Sequence, residues 1–224
     1  MLMYSPTMTQ NELLKKDLFG EIRLQRSADK VCIVRDAKVA NPWVRWLARY
    51  LLRREARALT ALEGIDGVPQ LARYNKNRLE RAYIDGEPMH RAKPSDRGYY
   101  LQCARLLRRL HGANVVHNDL AKEPNLLVRP DGSPALVDFQ LAWFAPRRGR
   151  MFRLLAWDDI RHLLKHKRTY CPEDLSRRER DILARPSWPS RVFMASVKPI
   201  YLFITRRMLG WADREGAADR GEHR

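Results

Sequence analysis

Between His117 and Gln140 the chain carries three oxygen-bearing side chains at a spacing that could serve chemistry: Asp119, Asn125 and Asp138. They lie in His117-Asn118-Asp119-Leu120-Ala121-Lys122-Glu123-Pro124-Asn125 and in Val137-Asp138-Phe139-Gln140. A carboxylate within reach of a hydroxyl can take its proton. Carboxylate and carboxamide oxygens are hard ligands of the kind magnesium accepts. A lone His-x-Asp arises easily by chance. This run is more specific, because an Asn follows and an apolar-flanked Asp-Phe returns across Arg129-Pro130-Asp131-Gly132-Ser133-Pro134, a strong turn signal. The competing explanation is an accidental loop followed by a hairpin.

The elements that must position these residues can be read from periodicity. Leu13 to Ala37 reads as strands punctuated by Gly20, with a turn at Ser27-Ala28-Asp29 and a buried strand at Val31-Cys32-Ile33-Val34. Pro42 is expected to open a long helix whose apolar stripe is Trp43, Trp46, Leu47, Tyr50, Leu51, Leu59 and Leu62, ended by Gly64 and Gly67. Leu79 to Ile84 is the clearest later strand, closed by Asp85-Gly86. A helix follows from Ser95, with Tyr99, Cys103, Leu106, Leu107 and Leu110 on one face. Leu126-Leu127-Val128 and Ala135-Leu136-Val137 flank the turn as a hairpin, and the chain beyond Arg150 is mainly helical. Strands plus one helix, then helices plus one hairpin, predict an α+β fold of two lobes. The expected division is residues 1–86, residues 87–211, and a fraying polar tail over residues 212–224.

The motif resembles the protein-kinase-like superfamily, whose catalytic loop reads H-x-D-L-x-x-x-N and whose metal aspartate sits in D-F-G. The resemblance covers residues 13–170. It implies a two-lobed kinase-like fold, a small β-rich lobe and a mainly helical lobe carrying the catalytic hairpin. It implies ATP and Mg2+ as cofactors, Asp119 as the group that takes or orients the hydroxyl proton, and Asn125 and Asp138 as metal ligands. His117 is expected to support the loop by packing. An aspartate early in the next helix, Asp158 or Asp159, would hold the loop backbone.

Departures from the pattern refine what is implied. One extra residue separates Asp119 from Asn125, and Gln140 replaces glycine, which predicts a restricted backbone there. Asn118 stands where many regulated kinases have an arginine that pairs with a loop phosphate. About a dozen residues separate Asp138 from the next helix near Phe152, and no A-P-E follows. These features favour the compact bacterial relatives, the lipopolysaccharide core (Kdo or heptose) kinases and the RIO-like kinases.

The family also needs a strand cation held by a helix glutamate. The V-A-I-K pattern falls on Cys32-Ile33-Val34-Arg35, so an arginine takes the lysine's place, with Lys38 an alternative if the register shifts. Glu55, between Leu51 and Leu59, lies on an inward helix face; the alternative is pairing with Arg53, Arg54 or Arg57. No G-x-G-x-x-G is present, and Gly20 after Lys15 and Lys16 is the candidate phosphate turn. Ala82-Tyr83-Ile84 resembles the hinge that receives adenine, or is an ordinary strand end.

Composition bounds the partners. A formal charge of +17 draws polyanions: nucleic acid, anionic lipid or phosphorylated glycans. Leu141 to Arg224 holds nineteen Lys and Arg against ten Asp and Glu, with Arg147, Arg148, Arg150 and Arg153 where an acceptor would approach. Lys198 to Trp211 mixes cations with apolar and aromatic residues, which suits peripheral contact with an anionic membrane or a helix packed on the larger lobe. Met1 to Lys16 has no continuous apolar run, Val192 to Ile204 is too short to span a bilayer, and the three cysteines are scattered, so a cytoplasmic location is expected. Three functions stay open: a kinase for a lipopolysaccharide core sugar, a RIO-like protein serine/threonine kinase, and a non-catalytic pseudokinase or nucleic-acid-binding module.

Overall fold

The alternating and apolar runs at the start of the chain form β1 (Gln10–Asp17), β2 (Gly20–Ser27) and β3 (Lys30–Asp36). The computed structural model describes residues 10–28 and 30–185, nearly all within a unit that ends at Ala184. With β4 (Leu71–Tyr74) and β5 (Arg78–Ala82), these strands make one antiparallel sheet in the order β1-β2-β3-β5-β4. Central β3 is buried at Cys32, Ile33 and Val34, which is why its apolar run is unbroken. Edge strand β1 is largely exposed and carries Lys15, Lys16 and a bulge, features that discourage pairing with another chain. Gly20 has φ +126°, and a Cβ there would stand 2.0 Å from the Asp36 carbonyl oxygen, so only glycine fits. The strand expected over Leu79 to Ile84 ends at Ala82, because the chain leaves the sheet to bring Gly86 against Leu127 and Val128.

Helix α1 (Arg45–Ala61) starts later than Pro42. Asn41 organises the entry instead: its side chain accepts from the Trp43 N–H (3.2 Å) and its carbonyl from the Val44 N–H (3.0 Å). The buried stripe also differs from the expected one. Ala48, Leu52, Ala56 and Leu59 face inward with Glu55, whereas Trp43, Trp46 and Tyr50 are 86%, 69% and 52% exposed. The small side chains let α1 lie close on Ala37, Ala40 and Leu79, where an indole would not fit.

The second part of the chain begins with β6 (Glu87–Pro88), α2 (Met89–Ala92) and α3 (Arg97–Gly112). Asp96 caps α3 by accepting from the Tyr99 N–H (2.9 Å). Tyr99, Cys103, Leu106, Leu107 and Leu110 are buried at helical spacing, in one core with Leu59, Leu62, Leu126 and Leu136. After β7 (Val115–Val116) comes the hairpin β8 (Leu126–Val128) and β9 (Pro134–Leu136), with β6 on its outer edge. β10 (Trp143–Phe144) returns to pair with β7, and α4 (Arg150–Tyr170) and α5 (Arg177–Ala184) follow. The arrangement is α+β: an antiparallel sheet first, then helices around a small hairpin. No described helix is long and apolar enough to cross a membrane. Asp29, Val192 to Ile204, Lys198 to Trp211 and the tail over residues 212–224 lie outside the described residues.

On α4, burial first and Lys165 next push the His162 imidazole down from 6.5 to about 4. The unfolded chain therefore binds a proton that the folded chain refuses between these values, and stability falls as pH drops through that window. The expected loss is on the order of 2 kcal/mol. Thermal melting at pH 7 and pH 5 should show it, and His162→Asn should flatten the slope.

Candidate active site

Three elements of the first part converge on one carboxylate. β3 supplies Arg35, β5 supplies Arg81, and α1 supplies Glu55, which is fully buried. The register Ile33↔Arg81 and Arg35↔Leu79 puts both arginines on the face turned toward α1. Arg35 Nη1 lies 3.1 Å from Glu55 Oε2, and Arg81 Nε lies 3.1 Å from Glu55 Oε1. Arg35 Nη1 also reaches Asp138 Oδ1 at 3.5 Å. Glu55 thus pairs with Arg35 and Arg81 rather than with Arg53, Arg54 or Arg57 of its own helix. Lys38, the other candidate cation, is exposed in the turn after β3.

The loop after β7 is held from beneath by α4. Asp159, 1% exposed, accepts from the backbone N–H of His117 (2.8 Å) and of Asn118 (2.9 Å), and meets His111 Nε2 at 3.2 Å. Of the two candidate aspartates, Asp159 is therefore the one in contact with the loop. His117 is buried; its Nε2 bonds the Val137 carbonyl (3.0 Å) and its ring lies 4.6 Å from that of Phe139. Asn118 and Asp138 both take left-handed backbone at φ +62°, which Asn and Asp tolerate better than most residues. Gln140 sits in the 3-10 turn Phe139–Leu141, so the left-handed residue is Asp138 itself. An Asp159→Ala variant would leave one buried and one partly buried N–H group without their carboxylate acceptor. It is expected to lose about 3 kcal/mol by denaturant titration.

The extra residue between Asp119 and Asn125 is absorbed by tight turns. Lys122 N–H bonds the Asp119 carbonyl (3.4 Å) and Asn125 N–H bonds the Lys122 carbonyl (3.1 Å), the latter closing the 3-10 turn Glu123–Asn125. Asn125 Nδ2 then reaches back to Asp119 O (2.9 Å) and Asp119 Oδ2 (3.0 Å). The Asn125 carbonyl accepts from Val137 N–H at 3.0 Å, which ties this turn to the residue before Asp138. Lys122 Nζ lies 3.0 Å from Asp119 Oδ2. Asp138 Oδ1 is buried without a hydrogen-bond partner among the described residues. Burial alone would raise the Asp138 carboxyl; Arg35, Arg81 and Lys122 outweigh it and hold the group below the ordinary 3.8.

From α1, Arg54 reaches across to the next segment. Its Nε donates to the Ala142 carbonyl (3.2 Å) and its Nη2 to the Leu141 carbonyl (2.8 Å). Only residues 139–149 separate Asp138 from α4, and β10 takes two of them into its pairing with β7.

The candidate nucleotide contacts are placed less directly. Gly20 lines a small cavity with Arg35, Leu52 and Gln140. Lys16 pairs with Glu21 (3.0 Å) at the sheet edge, and no ion pair joins it to Glu55, Asp119 or Asp138 among the described residues. Ala82 ends β5, its N–H on the Gln70 carbonyl (2.8 Å), and Ile84 follows in chain without regular structure.

The contacts of Arg81, Lys122 and Arg54 escaped the sequence reading. Arg81 had a signal: it alternates with Leu79 at an inward strand position, where a cation needs a partner. Lys122 had a weaker one, its place between Asp119 and Asn125. Arg54 had none, because its partners are backbone carbonyls far along the chain.

No known family model matches the sequence, and no curated protein matches it. Among solved structures, the Rio2 kinase from Chaetomium thermophilum superposes with a TM-score of 0.56 at 15% identity, over 80% of this chain and 62% of that one. The chain thus spans less than two thirds of that kinase's length. With its antiparallel sheet first and its helices after, the chain has a protein-kinase-like fold.

Proposed function

We propose that the chain is an ATP-dependent phosphotransferase that moves the γ-phosphate to a hydroxyl. The observation that supports it is the convergence of Asp119, Asn125 and Asp138 on one loop-and-hairpin frame, beside an arginine pinned by a buried glutamate. Phosphoryl transfer asks little covalent work of the protein, mainly positioning and charge neutralisation. Asp119 would orient the acceptor hydroxyl and take its proton. Asp138 Oδ1, buried and without a hydrogen-bond partner, and the Asn125 side chain form a donor set that fits magnesium. When bound, that ion would neutralise charge on the phosphate oxygens. Arg35 would face the nucleotide phosphates with a fork of N–H donors. Gly20, with Lys16 close by in sequence, and the backbone at Ala82 and Ile84 would border the nucleotide.

The favoured acceptor is a hydroxyl of a lipopolysaccharide core sugar. Residues 139–149 leave little room for a peptide-binding segment, and Arg147, Arg148, Arg150 and Arg153 offer cations to an anionic glycan. The second reading is a RIO-like protein serine/threonine kinase, motivated by the likeness to a Rio2 kinase. Both readings require magnesium-dependent ATP turnover, and a wild-type chain that binds no nucleotide would refute both. Loss of phosphate from envelope sugars in a deletion strain, read by mass spectrometry, would select the first; phosphorylated protein with intact sugars would select the second.

A further inference from the structure

The outward face of α1 is unusual for a surface helix. Trp46, Tyr50, Arg53 and Arg57 recur at helical spacing on one side, and all four are exposed. Trp43 precedes them by one turn, and Val39, in the loop before, is 51% exposed. Two indoles and a phenol lying open beside an aliphatic side chain form a patch that monomeric surfaces rarely keep without use. Arg54 lies 5.8 Å above the Tyr50 ring, which restrains it. Between Asn41 and Thr60 there are five arginines and one acid, and that acid, Glu55, is buried on the opposite side of the helix.

We propose that this face docks on an anionic lipid bilayer. Trp and Tyr favour the headgroup level, where an apolar ring meets a wet rim. Arg53 and Arg57, further along the same stripe, would pair with lipid phosphates. The face is a convex helix. Single-stranded nucleic acid is instead taken in a cationic groove with bases stacked on aromatic rings. A second copy would set two arginine-rich helices against each other, and like charges across an interface oppose it. The proposal is independent of the catalytic reading, because its side chains point away from Glu55.

The test is sedimentation of the full chain with vesicles of phosphatidylcholine alone and of phosphatidylcholine containing about 30% phosphatidylglycerol, at near-physiological salt. Wild type is expected to pellet with the anionic vesicles only. A Trp43→Ser, Trp46→Ser, Tyr50→Ser variant should bind them at least about tenfold more weakly. An Arg53→Gln, Arg57→Gln variant should lose about tenfold as well, and the loss should shrink at high salt. All five side chains are exposed, so both variants should melt as the wild type does. Failure of wild type to pellet would overturn the proposal. So would an aromatic variant that pellets like wild type, which would place binding elsewhere on this basic chain. A dimer in light scattering that the aromatic variant abolishes, or a loss of RNA retention with unchanged pelleting, would also overturn it.

Discussion

Asp138→Asn is expected to lower the proposed magnesium-dependent phosphoryl transfer from ATP by at least about 100-fold. The substitution keeps the shape of the side chain and removes the charge. Asparagine can still meet Arg35 through its oxygen, so the fold should survive, with a melting temperature within a few degrees of wild type. The surrounding cations hold the wild-type carboxyl below 3.8. The group is therefore ionised throughout the neutral range, and its stabilising contribution is lost only as pH falls through that depressed value. The deficit of the variant should accordingly be flat from pH 6 to pH 8. Initial rates across a magnesium titration would check this, and a variant within about threefold of wild type would overturn the proposed metal role of Asp138.

The largest effect on stability is expected at Glu55. The residue is fully buried, and Arg35 and Arg81 around it are only 12% and 11% exposed at their side chains. Glu55→Ala removes the carboxylate that Arg35 and Arg81 share in a nearly dry space and leaves Asp138 as the neighbouring acid that acts on both. Breaking a buried pair in this way costs about 3–5 kcal/mol. Glu55→Gln keeps the volume and the acceptor oxygen and should cost less. Urea titration would rank wild type, Gln and Ala in that order of decreasing stability. An Ala variant as stable as wild type would mean that the arginines find water or another anion.

Much of the frame of the candidate site could be read from residues alone, because its parts are local. His117 to Asn125 is one loop, and the turn at Asp131-Gly132 forces the hairpin that brings Asp138 back to it. The inward place of Glu55 followed from Leu51 and Leu59 at one turn either side. What failed was non-local. The aromatic residues of α1 looked like its core because they are large and apolar, yet packing at a short helix-to-sheet distance selects alanine. Arg81 depends on strand register, which one sequence does not fix. Asp159 and Asp158 differ by 100° around a helix, and only the position of the loop above α4 decides between them.

Arg54 gives the fold a property that reaches beyond its contacts. Switchable enzymes of this architecture often keep the helix glutamate and the metal aspartate apart until a covalent phosphate orders the intervening segment. Here a guanidinium encoded in the helix itself grips the carbonyls of Leu141 and Ala142, three and four residues past Asp138. If the chain transfers phosphate as proposed, this tie favours the assembled arrangement without a covalent phosphate. Arg54→Ala would then be expected to loosen the segment after Asp138 and lower turnover, and a phosphate on that segment could not restore the lost tie to α1.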